Sequence, residues 1–462
     1  MSVLILIPGC IALFLVLRGR VKRAFLSVYL PSLLLLSQDY SLRLPHFPPL
    51  SAAEYALIPI GVVALTRHIR SASFRLMDAL VLLFWVSHLT SEILREPVLN
   101  DGIFAAAEAF VSLLLAYAVG RQLIEPELRF ETVRKWVIFV LLLAPFGLYE
   151  WRFGQSVYAI IGKKFLGVPV WVYGEGIQLR EGRGRMTVSL GGGELTGIVI
   201  AVTFALNAWL VLLNRARTGA DRGKWLAGLE KYHVPGLLLL LCIYLTQSRG
   251  ALISVAAAST ILQIPKFKKT KLATTMVAVI FILAALGTKQ YFVHYLDVDP
   301  SKKMTEEQAS AAYRQILNKA YQSTAEKGGW FGWAGAIPVV GGQKSIDNEF
   351  LLTHLIQGEF GYILLILIAA ESIRTAIARA WSFQALEDRV FACSMIAIFA
   401  IFWIAYYTVW MGGQLPQITF LLLGWGQSLV PGKTGGGSVQ EVQSRSRFGL
   451  KTAAAEQPSF LA

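Results

Sequence analysis

The chain is predicted to be an all-α polytopic membrane protein of about 12–13 transmembrane helices, and three observations carry that expectation. Hydrophobic residues make up 55% of the 462 and charged residues only 16%, where a soluble domain carries about a quarter charged. Mean hydropathy is +0.55. The apolar residues also gather into blocks of roughly 15–22, close to the ~20 that a helix needs to cross a ~30 Å hydrocarbon layer.

In chain order the apolar blocks are 2–17, 24–38, 53–66, 76–91, 102–120, 136–149, 193–213, 234–247, 251–264, 272–287, 349–370, 391–410 and 417–430. The first is followed by Arg18, Arg20, Lys22 and Arg23, an order opposite to that of a cleavable signal peptide, so it is expected to be retained as a helix. Two connections are long, 150–192 and 288–348. Residues 1–430 form the expected transmembrane domain with its two loops. The tail 431–462, rich in Gly, Ser, Gln and Ala, is expected to be disordered.

Net charge is +14, which raises the question of nucleic acid. The basic residues sit in short clusters between apolar blocks rather than on one amphipathic face, so nucleic-acid binding is not expected. Placing 18–23, 67–75, 121–135, 214–232, 265–271, 371–390 and the C-terminal segment on one side gathers 27 of the 43 Lys and Arg there. The positive-inside rule makes that side cytoplasmic and turns both long loops outward. Cys10, Cys242 and Cys393 lie inside apolar blocks without ligand spacing, which predicts packing roles and no disulfide framework or metal site. No GxxxxGK[ST] phosphate loop is present.

Charge in an apolar setting is costly, so it is the first place to look for function. Arg249 stands in Thr246-Gln247-Ser248-Arg249-Gly250 between two apolar blocks. A guanidinium at a membrane boundary can bind phosphate with its bidentate fork, or can simply snorkel at a helix end. Arg183 and Arg185 precede Gly191-Gly192-Gly193-Glu194, where a helix N-terminus can receive an anion unless Glu194 satisfies it.

The late loop contains an expected amphipathic helix, Thr305 to Lys327, carrying Arg314. It continues through Gly328-Gly329-Trp330-Phe331-Gly332-Trp333 to Ser345-Ile346-Asp347-Asn348-Glu349. Trp330 and Trp333 suit sugar stacking or interface anchoring. Asp347 and Asn348 suit a general base and a sugar-hydroxyl ligand, or a helix cap. His354 lies two turns inside the next helix, and His88 is placed near the outer face. Asp78 and Glu108 sit near or within apolar blocks, with arginines as the expected partners.

In this order, the Gly/Arg segment, the Thr-Gln-Ser-Arg-Gly hairpin and the late outward loop resemble the O-antigen ligase and O-antigen polymerase superfamily of bacterial membrane glycosyltransferases. The similarity is strongest over 183–370. It implies a GT-C-like fold and transfer of a glycan from an undecaprenyl-diphosphate-linked donor at the periplasmic face of the inner membrane. The acceptor would be a sugar hydroxyl, on a second lipid-linked repeat unit for a polymerase or on lipid A core for a ligase. Arg183, Arg185, Arg249 and Arg314 would then hold the diphosphate donor without a metal or other cofactor, and Trp330, Trp333 and Asn348 the sugars.

The ligases are similar in this loop but place a histidine where this chain has Asp347. A carboxylate is a weaker base than an imidazole. The aspartate looks closer to the polymerase or exopolysaccharide branch, with His354 as a lower-ranked substitute base. Membrane lipids and other polysaccharide-assembly proteins would be the partners. A transporter or flippase of lipid-linked sugars would also need outward arginines and aromatics, and stands as the rival from another class.

Overall fold

The computed structural model describes residues 2–44, 47–71, 74–95, 99–167, 177–180, 182–216, 233–267, 269–296, 306–340, 346–383 and 385–428. The tail from 431 lies outside the described residues, as does most of the middle of the first long loop. Almost everything described is helical. The helices are α1 (Ile7–Leu17), α2 (21–35, with a π-helical stretch at Phe25–Tyr29), α3 (Ala52–Arg70), α4 (Leu76–Arg95), α5 (Leu99–Leu123) and α6 (Pro126–Phe153). They continue with α7 (Gly193–Ala216), α8 (Val234–Thr246), α9 (Arg249–Ile261), α10 (Thr270–Leu296) and α11 (Glu306–Gly328). Last come α12 (Glu349–Ser382), α13 (Leu386–Thr408) and α14 (Leu415–Ser428). A short helix at Val157–Ile161 continues as a π-helical turn over Gly162–Leu166, and two short antiparallel ribbons are present: β1 (Ser41–Arg43) with β2 (Pro49–Ser51), and β3 (Leu179–Arg180) with β4 (Arg183–Gly184).

Six helices among the described residues are long and apolar enough to cross a membrane: α4, α5, α6, α7 up to Leu213, α12 and α13. Shorter apolar helices stand at Val3–Leu17, Val234–Thr246 and Thr270–Leu283. The outer faces fit lipid rather than water. Leu237 and Leu241 on α8, Ile253 on α9 and Ile282 and Leu283 on α10 are all exposed, an apolar surface that a water-soluble bundle would bury. The chain is thus a helical membrane protein.

Several helices outrun the apolar blocks that announced them. The block 136–149 lies inside α6, which starts at Pro126, and the block 349–370 opens α12, which runs on to Ser382. A hydropathy window registers only the stretch that matches hydrocarbon. Helix continues for as long as backbone hydrogen bonds and side-chain packing favour it, here through charged turns bearing Arg129, Arg374 and Arg379.

The core runs through the bundle on large aromatics. Trp136, Trp209 and Trp425 are fully buried. Trp209 meets Phe391 edge-on at 5.1 Å, Phe391 meets Trp425 at 5.3 Å, and Trp136 donates its indole N–H to Thr203 Oγ1 at 3.0 Å. These contacts join α6, α7, α13 and α14. Helices α5 and α14 pack backbone to backbone: a Cβ on Gly120 would overlap the Leu421 carbonyl, and one on Gly424 the Tyr117 carbonyl. Small residues at such crossings are how membrane helices gain van der Waals contact without a hydrophobic driving force.

The buried carboxylate of Asp78 is paired across helices. Asp78 accepts from Tyr117 Oη at 2.5 Å and from the Arg75 backbone N–H at 2.7 Å, with Arg121 Nε at 3.7 Å and His68 Nε2 at 3.5 Å. The arginine expected beside Asp78 is therefore Arg121 from α5. Among the described residues no arginine pairs with Glu108.

Candidate functional site

The β3–β4 hairpin turns at Gly182, whose φ of +73 favours glycine, and lies over the α8–α9 turn. Helix α8 ends with Gln247 in the left-handed region (φ +52). Ser248 caps α9, its hydroxyl accepting from Ala251 N–H at 3.4 Å. A helix C-terminus leaves carbonyls without intrahelical donors and carries partial negative charge. Two arginines of the hairpin segment satisfy them: Arg185 Nε donates to Thr246 O at 3.0 Å and Arg180 Nη1 to Gln247 O at 2.9 Å. Backbone adds a third tie, Met186 N–H to Leu245 O at 3.0 Å.

Arg185 is the hub. It is only 2% exposed, and its Nη1 donates to Glu194 Oε1 at 2.5 Å and Gln178 Oε1 at 2.6 Å. Glu194, in the first turn of α7, thus pairs with the buried arginine. Nη2 of Arg185 is buried and has no hydrogen-bond partner among the described residues. A Cβ at Gly193 would meet Arg185 Nε at 2.8 Å and Thr246 O at 3.0 Å, so the glycine there makes room for the guanidinium.

Below this cluster the fully buried carboxylate of Glu150, on α6, organises the segment that carries Arg185. Its Oε2 accepts from the backbone N–H groups of Thr187 and Val188, both at 2.8 Å, and from the Thr187 hydroxyl at 3.2 Å. Val188 sits at φ +42, an uncommon conformation for a β-branched residue. Two charge-assisted hydrogen bonds at that turn hold it there.

The other arginines of the expected donor site are differently disposed. Arg183 is exposed and lies over the Trp151 ring at 5.2 Å. Arg249 is exposed at the first position of α9. Arg314 lies on α11, but its side chain is outside the described residues.

The late loop meets the bundle by insertion. Helix α12 is interrupted at Gly358 (φ +69, ψ −166), and the segment from Gly329 to Ala334 enters the break. Trp333 N–H donates to Leu355 O at 2.7 Å and Ala334 N–H to Ile356 O at 3.0 Å. From α4, the Ser91 hydroxyl donates to Ile356 O and Ser87 donates to Gln357 Oε1 at 3.1 Å. Backbone groups freed inside a membrane need such partners.

Trp333 is half-buried, its indole N–H donating to Thr324 O at 2.9 Å, so it fastens α11 to the plug. Trp330 is 64% exposed, leaving a face open for a ring to stack on. Asn348 caps α12, its Oδ1 accepting from Leu351 N–H at 3.1 Å, and Asp347 is half-buried just before it. His354 is buried, stacks on Tyr362 at 5.0 Å, and has Nε2 3.2 Å from Glu359 Oε1, within ion-pair range but outside hydrogen-bond geometry. Asp347 precedes the cap of α12 and His354 lies within its second turn. His88 is half-buried on α4, 3.9 Å from Glu92.

The short connection between α13 and α14 ties several of these segments together. Between α13 and α14, Met411 N–H donates to Glu349 Oε2 at 2.9 Å. A Cβ at Gly413 would lie 3.2 Å from Gln38 Oε1 and 3.6 Å from Leu190 O. Gln414 donates to Leu36 O. The start of α12 and the glycine segment before α7 therefore belong to the same end of the bundle. The signal was present as Gly412-Gly413-Gln414 between two apolar blocks, too short and uncharged to stand out. No protein-family model matches the chain, and no curated protein matches it either.

Proposed function

We propose that the protein is an integral-membrane glycosyltransferase of surface polysaccharide biosynthesis, acting at the periplasmic face of a bacterial inner membrane with a GT-C-like arrangement of helices. The donor is an undecaprenyl-diphosphate-linked glycan and the acceptor a sugar hydroxyl of a second lipid-linked repeat unit. The observation that carries this reading is the seating of the arginine hairpin on the α8–α9 turn. Arg180 and Arg185 bond its carbonyls, and exposed Arg183 and Arg249 stand on the same end of the bundle.

In the reaction the acceptor oxygen bonds to the anomeric carbon as the glycosidic C–O bond to the diphosphate breaks. The hydroxyl proton goes to Asp347, and undecaprenyl diphosphate leaves with its two electrons. Arg183 and Arg249 neutralise the departing diphosphate, buried Arg185 holds in place the hairpin that carries Arg183, and Arg314 assists from the late loop. Trp330 offers its ring to a sugar, while Trp333 and Asn348 hold the loop and the helix start beside it.

The test is turnover by the purified protein with a lipid-linked repeat unit. Longer glycan and released undecaprenyl diphosphate support the polymerase. Transfer only to lipid A core supports the ligase alternative. One feature favours a second class of reading: a helix broken inside the membrane, as at Gly358, is also a device of transporters. Translocation of the lipid-linked sugar with no bond cleaved would overturn the enzyme in favour of a flippase.

A further inference from the structure

At the opposite end of α7, roughly 28 Å along the helix from Glu194, lies a cavity of about 350 Å3. The end of α7, the segment after α9 and the start of α13 line it as a half-open cleft, and Trp209, Leu213, Leu262, Phe267 and Val390 supply apolar walls. Arg389 and Lys266 stand at the same cavity. Its size falls within the ~300–1,000 Å3 of ligand sites.

Two buried donors here lack hydrogen-bond partners among the described residues: Trp209 Nε1, on a side chain 1% exposed, and Arg389 Nε. Leaving such groups unsatisfied is costly. The charge balance is positive. Asp388 is already paired with Arg129 at 3.0 Å, so Glu387 is the one carboxylate among the lining residues against two cations.

We infer that this cavity binds an anionic glycerophospholipid of the surrounding leaflet. The walls take the upper methylenes of one acyl chain. The Arg389 guanidinium at the cavity matches phosphate oxygens with its fork of donors. Lys266, exposed and within reach of solvent, adds the second cation. Free phosphate would leave the apolar walls empty, and a choline headgroup would set a third cation beside two. The inference is independent of the proposed enzyme activity.

The full-length protein, delipidated in detergent, is offered phosphatidylglycerol, phosphatidylcholine of the same chains, or inorganic phosphate, and retained lipid is read by native mass spectrometry. Phosphatidylglycerol is expected to be held about 25-fold over phosphatidylcholine, at about fivefold for each of the two basic residues, and to raise the apparent Tm. The double variant Arg389→Gln/Lys266→Gln should drop its retention to the phosphatidylcholine level. Leu213→Trp, which fills the cavity without touching charge, should lower retention of both lipids. Equal retention of the two lipids by the unaltered protein overturns the inference, whether or not the variants fold. So does full retention by a folded double variant, or an equal Tm rise with inorganic phosphate alone.

Discussion

Arg185 and Glu194 meet at 2.5 Å, one arriving from the hairpin of the first long loop and the other from the first turn of α7. The arginine side chain is 3% exposed and the glutamate 33%, so the pair seals a buried charge from one side. The same guanidinium holds the carbonyl end of α8. One residue thus joins a loop and two helices.

Removing one partner of such a pair strands the other. Glu194→Met and Arg185→Met should each destabilise the protein, by about 2–4 kcal/mol, moderated by the partial exposure of Glu194. The double variant should cost less than the two single changes added together. Thermal denaturation in detergent gives all three values, and strict additivity would show that the two side chains do not act as a pair.

Arg183 and Arg249 are exposed, so their loss should separate activity from folding. Arg183→Ala is expected to leave stability within about 0.5 kcal/mol of the parent. Glycan transfer should fall about 100-fold or more, the scale of losing a donor that stabilises developing charge. A variant with normal membrane level and unchanged product would remove that arginine from the donor site.

The break in α12 admits no side chain at Gly358. A Cβ there would overlap the carbonyl of Gly329 and the N–H of Gly332, at a φ that strains L residues. Gly358→Ala should cost about 1–3 kcal/mol and loosen the 329–334 plug, read as faster proteolysis within the late loop. Gly287→Ala, where a Cβ meets nothing within 4 Å, is the control and should not cost stability.

Burial raises the Asp39 carboxyl above its ordinary value, partly offset by its hydrogen bond with the Ser37 hydroxyl. The folded state then holds its proton to higher pH than the unfolded state does. The stabilising contribution is whole below the ordinary aspartate range and is lost as pH rises through the raised value. Asp39→Asn should abolish that slope, leaving the variant more stable than the parent at neutral pH and level with it in acid. Parallel Tm profiles from pH 3 to 8 would contradict the assignment.

Hydropathy alone determined that this is a helical membrane protein, because a ~30 Å apolar layer demands long runs of apolar residues and those runs are visible one residue at a time. It also marked the segments bearing Arg183, Arg185, Arg249 and Asp347, since charges and glycines beside such runs are conspicuous. What those side chains do was beyond it. Asn348 could be read locally as a cap, because a cap reaches only three residues ahead. Arg185 finds Thr246 61 residues later, Glu150 finds Thr187 37 residues later, and Asp78 finds Tyr117 39 residues away. Pairings of that kind depend on how helices are arranged around one another, which no local pattern encodes. The same holds for Gly358, an ordinary helical glycine in sequence until a distant loop fills the break beside it. Composition decided the solvent, and tertiary packing decided which charges are spent on holding the fold and which stand exposed for chemistry.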